Sequence, residues 1–176
     1  MKKYILLLLI SLMLFSCSSN RPLSLFMKDE MNKNKEQKII SILYSRKTNP
    51  LDILNVYSGL KIGNRKSSQA KSFTQKEYDE LYVKYKNDTI AEYWNKTDAE
   101  KFNFDKIIKY NEVISMNDSF ENYLYTISKP LFINEKALFS ITITKGRNNI
   151  IENCVIIMKK EKGNWIFLEK VYNTEL

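Results

Sequence analysis

The last third of the chain constrains the fold most, because its apolar residues follow the two-residue period of a β-strand. Apolar and hydroxylated residues alternate along residues 139–144, which predicts a strand with one buried face. Part of the stretch 150–160 has apolar residues at consecutive positions, which predicts a strand buried on both faces there. A third, mostly apolar run covers residues 165–172 after a turn at Gly163. Since short turns join neighbouring strands in antiparallel order, the pattern predicts a three-stranded antiparallel meander.

Helical signals dominate the chain before that meander. Residues 29–45 carry apolar side chains with helical spacing in their second half, so we expect one helix there, ended by the turn at Asn49-Pro50. Thr74-Gln75-Lys76-Glu77 is a capping-box pattern, which satisfies two backbone amides at the start of a helix. The helix that follows would place four apolar or aromatic residues on one face, namely Tyr78, Leu81, Tyr82 and Tyr85.

Two further strands are expected between the helices and the meander, over residues 112–116 and 123–128 with a turn at Asn117-Asp118. A chain of 176 residues suits one domain. We therefore predict an α+β fold with N-terminal helices packed on a mainly antiparallel sheet that ends in the meander. This single domain is expected to cover residues 27–176.

The N-terminus has the composition of an export signal. Lys2 and Lys3 precede residues 4–15, among which Ser11 is the one residue that is neither apolar nor aromatic. Twelve helical residues span about 18 Å, which is short of the ~30 Å hydrocarbon core of a bilayer. The segment is therefore predicted to be a signal peptide and not a membrane span.

Leu14-Phe15-Ser16-Cys17 resembles the lipobox of bacterial lipoproteins. The resemblance implies cleavage between Ser16 and Cys17 and attachment of acyl chains to Cys17, which would anchor the protein in a membrane. Residues 1–16 would then be the signal peptide and residues 17–26 the lipidated cysteine with a short tether. In Gram-negative lipoproteins an Asp directly after the lipidated cysteine favours the inner membrane. With Ser18 at that position, the resemblance implies the periplasmic face of the outer membrane, with the inner membrane or the cell surface as alternatives.

Composition excludes several kinds of chemistry. The chain has no histidine, which removes the usual general base and the commonest metal ligand. We find no Gly-rich phosphate loop, nucleophile elbow, metal-ligand spacing or calcium loop, so no cofactor, no metal and no catalytic residue is predicted. Cys154 lies within a predicted strand and is expected to be a small buried hydrophobe.

Basic residues exceed acidic ones, with a net charge of +8 that falls to +6 once the two lysines of the signal peptide are removed. Only four of the 28 basic residues are arginine, although nucleic-acid recognition favours arginine, and an exported lipoprotein rarely meets nucleic acid. No nucleic-acid partner is expected. The basic stretch from Gly59 to Ser72 is predicted to be a solvated loop.

Two functions of different classes remain open. The whole chain resembles short lipoproteins of AT-rich Gram-negative bacteria, and the first hypothesis is a non-enzymatic domain that binds a protein or another envelope component. Gly163-Asn164-Trp165 resembles the last hairpin of nuclear-transport-factor-2-like cones, which implies a small-ligand-binding or catalytic cavity. Four aromatic residues would line that cavity, namely Tyr78, Tyr82, Trp94 and Tyr125. A lysozyme inhibitor is a weaker third option, because a charge of +6 would repel a basic lysozyme.

Overall fold

A seven-stranded sheet organises the computed structural model, which describes residues 21–58, 72, 74–114, 122–146 and 149–172. The described helices are α1 (Arg21–Glu36), α2 (Pro50–Ser58), α3 (Gln75–Tyr85), α4 (Lys96–Phe102) and α5 (Tyr110–Ile114). The strands are β1 (Ile40–Tyr44), β2 (Lys106–Ile108), β3 (Asn122–Ile127), β4 (Leu131–Ile133), β5 (Lys136–Lys145), β6 (Asn149–Glu161) and β7 (Asn164–Tyr172). Their order across the sheet is β2-β1-β3-β5-β6-β7, and β4 pairs with β5.

The predicted α+β fold is confirmed, including the meander at its C-terminal end. Strands β5, β6 and β7 pair in antiparallel order, with Phe139 opposite Ile156 and Val155 opposite Val171. The turn between β6 and β7 uses Lys162 and Gly163 at positive φ, a conformation that favours glycine. Local pairing of sequence neighbours therefore built this half of the sheet as the apolar pattern indicated.

Two of the six described strand pairings, at the other end of the sheet, are parallel, which the pattern did not reveal. β1 pairs in parallel with β2 on one side and with β3 on the other. Both pairings join strands that are distant in the sequence, and helices connect them, as parallel strands require. The carboxyl ends of these three strands consequently lie at one edge of the sheet.

The predicted helix over residues 29–45 is wrong in its second half. α1 ends at Glu36, Lys38 adopts a positive φ of 58°, and residues 40–44 form β1. β-branched isoleucines at positions 39, 40 and 42 favour a strand, and the sheet supplies two neighbours for it. α1 also begins at Arg21, inside the predicted tether over residues 17–26, and its Leu23 is fully buried.

Two other elements differ from the prediction. The expected strand over residues 112–116 overlaps α5, and the short strand β2 before it was not predicted. The expected turn at Asn49-Pro50 leads directly into α2, and the Asn49 side-chain oxygen accepts a hydrogen bond from the Leu51 amide at 2.8 Å. The Asn117-Asp118 turn, the signal peptide and residues 59–71 of the basic loop lie outside the described residues.

The apolar core of the described residues has two large clusters, one on each face of the sheet, and a smaller cluster formed by Ile42, Ile108 and Leu124. α1, α4 and Trp94 cover the face that carries Tyr125, Phe139 and Ile156. α2, α3 and β4 cover the face that carries Leu138, Val155 and Ile157. Adjacent residues of β6 therefore enter opposite clusters, which confirms the expectation of burial on both faces.

Candidate functional site

The parallel strands bring polar segments together at one edge of the sheet. Ser45 follows β1 and its amide donates to the carbonyl oxygen of Ile108, the last residue of β2, at 2.9 Å. Thr48 donates in the same way to Ile127, the last residue of β3, at 3.3 Å. In open sheets with parallel strands, ligands bind in the crevice outside the carboxyl ends of those strands. We call the crevice found at this edge the strand-end cleft.

The segment between α3 and α4 forms one wall of the cleft because it pairs with the residues after β1. Lys47 donates its amide hydrogen to the carbonyl oxygen of Glu92 at 3.0 Å, and Trp94 donates its own to Ser45 at 2.7 Å. Arg46 and Tyr93 form an antiparallel bridge between these two bonds. The indole nitrogen of Trp94 also donates to the Ile127 carbonyl at 3.1 Å, so both backbone and side chain fix this wall to the strand ends.

The first part of the cleft, the ionic lobe, is a cavity of about 360 Å³ with three basic and three acidic residues in its lining. This volume lies in the roughly 300–1,000 Å³ range of small-ligand sites. The residues that line it are Tyr44, Arg46, Lys47, Thr48, Asn49, Pro50, Asp52, Asp88, Thr89, Ile90, Ala91, Glu92, Thr126 and Lys129.

Four charged side chains of the ionic lobe form a continuous chain of alternating sign. Asp88 pairs with Lys129 at 2.7 Å, Lys129 also pairs with Glu92, and Glu92 pairs with Lys47 at 2.9 Å. The ammonium of Lys47 lies 4.3 Å from the ring centroid of Trp94, a cation–π distance. These contacts satisfy the lobe's central charges and hold residues 88–92 against the ends of β1 and β3.

The ion pairs of the ionic lobe favour the charged forms of Glu92 and Lys129. Partial burial alone would raise the pKa of Glu92, but hydrogen bonds from Lys129 and Lys47 outweigh it and hold that pKa below its usual range. Burial alone would lower the pKa of Lys129, and its hydrogen bonds to Asp88 and Glu92 raise it instead. A carboxylate with a lowered pKa is a weak base, so Glu92 is suited to holding cations and poorly suited to removing protons.

The second part of the cleft, the aromatic lobe, is an open cavity of about 610 Å³ that shares Tyr44 and Arg46 with the ionic lobe. Its lining contains two basic residues and no acidic residue. The residues are Tyr44, Ser45, Arg46, Tyr93, Trp94, Lys109 and Asn111. The Tyr93 side chain is 62% exposed, so its ring forms an accessible surface in this lobe.

No protein-family model, no curated protein and no solved structure matches the chain. The geometry of the strand-end cleft therefore carries the functional interpretation.

The structure does not bring together the four aromatic residues predicted to line a cone. Tyr78 and Tyr82 stack on each other on α3, with ring centroids 6.3 Å apart, and Tyr78 packs against the cluster of α2, α3 and β4. Tyr125 belongs to the cluster on the other face of the sheet, is 1% exposed and accepts a hydrogen bond from Asn34 at 2.5 Å. Trp94 is the one of the four that lines the strand-end cleft. Helical spacing put the α3 tyrosines on one face of the sheet, and strand alternation put Tyr125 on the other.

The two cysteines fall in different situations. Cys17 and Ser16 of the lipobox lie outside the described residues. Cys154 is fully buried, its thiol donates to Glu152 at 3.0 Å, and burial together with that carboxylate raises its pKa. A thiol held in its protonated form is a poor nucleophile.

In the described part of the chain no group of three or more potential ligands could hold a metal ion, and none of the helices there is long and apolar enough to cross a membrane.

The charged residues of the cleft were missed by sequence reasoning because they converge only in three dimensions. Arg46, Glu92 and Lys129 come from three distant segments. One signal was present: the polar run from Ser45 to Asn49 directly follows β1. Polar residues after a buried strand indicate a strand-end site, but the prediction had assigned that strand to a helix.

Proposed function

We propose that the protein is a membrane-anchored lipoprotein whose folded domain binds an envelope component without altering it chemically. The anchor is inferred from the lipobox-like Leu14-Phe15-Ser16-Cys17 and the short apolar segment before it. The binding activity is inferred from one observation, the convergence of charged side chains from three strand ends in a cleft of suitable volume.

Binding is favoured over catalysis by the state of the charged groups. Glu92 is engaged by two lysines and Asp88 by one, so these carboxylates are committed to ion pairs. The sequence contains no histidine, and Cys154 is buried with a raised pKa. The ion-paired side chains of Asp88, Lys129, Glu92 and Lys47 support a preformed recognition surface.

The proposed location is the periplasmic face of the outer membrane, with acyl chains on Cys17 as the attachment. Ser18 in place of an aspartate supports this choice over the inner membrane. A net charge of +6 on the mature chain supports an acidic partner in the envelope, since opposite charge steers association.

A crosslinking experiment in cells tests the proposal. Ile90 lies on the rim of the ionic lobe and is 81% exposed, whereas Val83 lies on α3 outside the cleft lining and is 67% exposed. A photoreactive benzophenone amino acid is placed at either position of the full chain. We expect both variants to be bound to the membrane. Only the variant with the photoreactive residue at position 90 should form an adduct with an envelope component.

Two results would count against the proposal. Equal adducts from positions 90 and 83, or no adduct from position 90, would exclude the cleft as the binding surface. Membrane attachment that is unchanged in Cys17→Ser would exclude the lipid anchor. Digestion of the adduct with a protease or with a glycan hydrolase then shows whether its second component is protein or carbohydrate.

A further inference from the structure

The aromatic lobe contains two positive charges that no residue in the described part of the chain neutralises. Arg46 and Lys109 are both exposed, and neither side chain makes an ion pair or hydrogen bond with any residue in the described ranges. Lys47 and Lys129 at the same sheet edge are both paired with carboxylates. Arg46 and Lys109 are therefore available to a ligand.

The backbone places these two cations at the ends of neighbouring strands, where both line the aromatic lobe. Arg46 lies two residues beyond the end of β1, and Lys109 is the residue directly after β2. β1 and β2 are neighbouring parallel strands, and neighbouring strands lie about 4.8 Å apart. An acidic group in the lobe would therefore be attracted by both positive charges.

An exposed aromatic ring accompanies the cations. Arg46 and Tyr93 face each other in an antiparallel bridge, and side chains directly opposite in such a pair lie on the same face, about 5 Å apart at Cβ. Asn111 adds an amide that can both donate and accept hydrogen bonds. An aromatic plane beside amide and guanidinium groups suits a sugar ring, whose C–H face packs on the aromatic ring while its hydroxyls bond to the polar groups.

We propose that the aromatic lobe binds an acidic sugar, that is, a saccharide unit that carries a carboxylate or a phosphate. Arg46 and Lys109 pair with the acidic group, Tyr93 packs against the ring, and Asn111 bonds to a hydroxyl. A neutral sugar would leave both cations unpaired, and a bare anion would leave Tyr93 and most of the 610 Å³ unused. This inference rests on the proposed function, in which the strand-end cleft is the binding surface.

Binding measurements on the full chain in detergent micelles test the ligand class. The probes are N-acetylmuramic acid, a sugar that carries a carboxylate, and N-acetylglucosamine 1-phosphate, a sugar that carries a phosphate as lipopolysaccharide does. Neutral N-acetylglucosamine and inorganic phosphate are the reference probes. We expect at least one acidic sugar to bind about tenfold or more tightly than either reference, and the tighter of the two shows whether the acidic group is a carboxylate or a phosphate. Equal affinity for the neutral sugar or for inorganic phosphate would overturn the proposal.

Matched variants separate the site from general charge attraction. Arg46→Gln and Lys109→Gln each lower the affinity for the acidic sugar about five- to tenfold, because each removes a charge-assisted contact. Arg21→Gln and Lys28→Gln remove the same charges from exposed positions on α1 and leave the affinity unchanged. Equal losses in all four variants would refute the site. Tyr93→Ala weakens binding of the sugar but not of inorganic phosphate.

The two proposals fail in different ways. If adducts still form at position 90 while neither acidic sugar binds, the ligand class is wrong and envelope binding by the cleft stands. If no adduct forms at position 90, the proposed function itself is wrong, whatever the sugars do in solution.

Discussion

Replacing Glu92 by glutamine should destabilise the fold through one particular lysine. Glu92 accepts hydrogen bonds from Lys47 and Lys129. The Lys129 ammonium retains Asp88 at 2.7 Å after the change. Lys47 has a side chain that is only 15% exposed, and Glu92 is the one carboxylate within ion-pair distance of it in the described residues. The Glu92→Gln variant therefore leaves Lys47 with the Trp94 ring and a neutral amide.

The size of the stability loss follows from the contacts that Glu92 makes with Lys47 and with Lys129. A hydrogen bond to a charged group contributes about 1.5–3 kcal/mol, and the amide of glutamine recovers part of this for Lys47. The contact with Lys129 is more exposed and shared with Asp88, so its loss costs about 0.5 kcal/mol. We expect Glu92→Gln to lower the free energy of unfolding by about 2 kcal/mol at pH 7. Asp88→Asn is the matched control, with an expected loss below about 1 kcal/mol, because Lys129 keeps Glu92.

The pH dependence of the loss tests its electrostatic origin. The pKa of Glu92 is lower in the folded protein than its ordinary value of 4.5, so its ion pairs stabilise the fold fully above pH 4.5. This contribution disappears as the pH falls through the folded-state pKa. Urea denaturation of the full chain in detergent, followed by circular dichroism, should give a gap between wild type and Glu92→Gln at pH 7 that narrows as the pH falls below 4.5. A gap that stays the same size as the pH falls, or a larger loss in Asp88→Asn, would refute the reasoning.

Two further predictions concern positions away from the cleft. Thr74→Ala should lower the free energy of unfolding by about 1 kcal/mol in the same denaturation assay, because no hydroxyl remains to accept the Glu77 amide hydrogen of the capping box. Thr74→Ser should keep most of that stability. Equal stability of Thr74→Ala and wild type would contradict the capping role. Cys154 should resist alkylation in the native protein and react once it is unfolded, since its thiol is buried and has a raised pKa. Mass spectrometry of the peptide that carries Cys154 measures this, and rapid native labelling would show that the strand opens or that the thiol is accessible.

The parts of the fold that sequence reasoning predicted are those built from local contacts. β5, β6 and β7 follow one another in the chain and pair in that order, so apolar alternation and turn residues were enough to find them. The capping box at Thr74 and Glu77 likewise involves residues three positions apart, and the structure confirms it. Each of these signals is complete within a short segment.

The errors occurred where a distant partner decides the conformation. Apolar residues 39, 40, 43 and 44 fit a helical face, but the neighbours β2 and β3 make residues 40–44 the central parallel strand of their half of the sheet. Strand propensity depends on such packing against neighbours. The candidate site depends on the same parallel pairing, so missing β1 also meant missing the cleft.

The sheet separates the part that stabilises the fold from the part that is free to recognise a ligand. The antiparallel strands β5 and β6 are covered on both faces by apolar clusters, whereas the parallel strands end in a polar edge. At that edge Lys47 and Lys129 hold the cleft wall through ion pairs, and Arg46 and Lys109 make none within the described residues. The four cations have the same sign and share one sheet edge, so their partners alone distinguish a structural role from a binding role. Removing a charge from the first pair should therefore lower stability, and removing one from the second pair should lower affinity while stability stays unchanged.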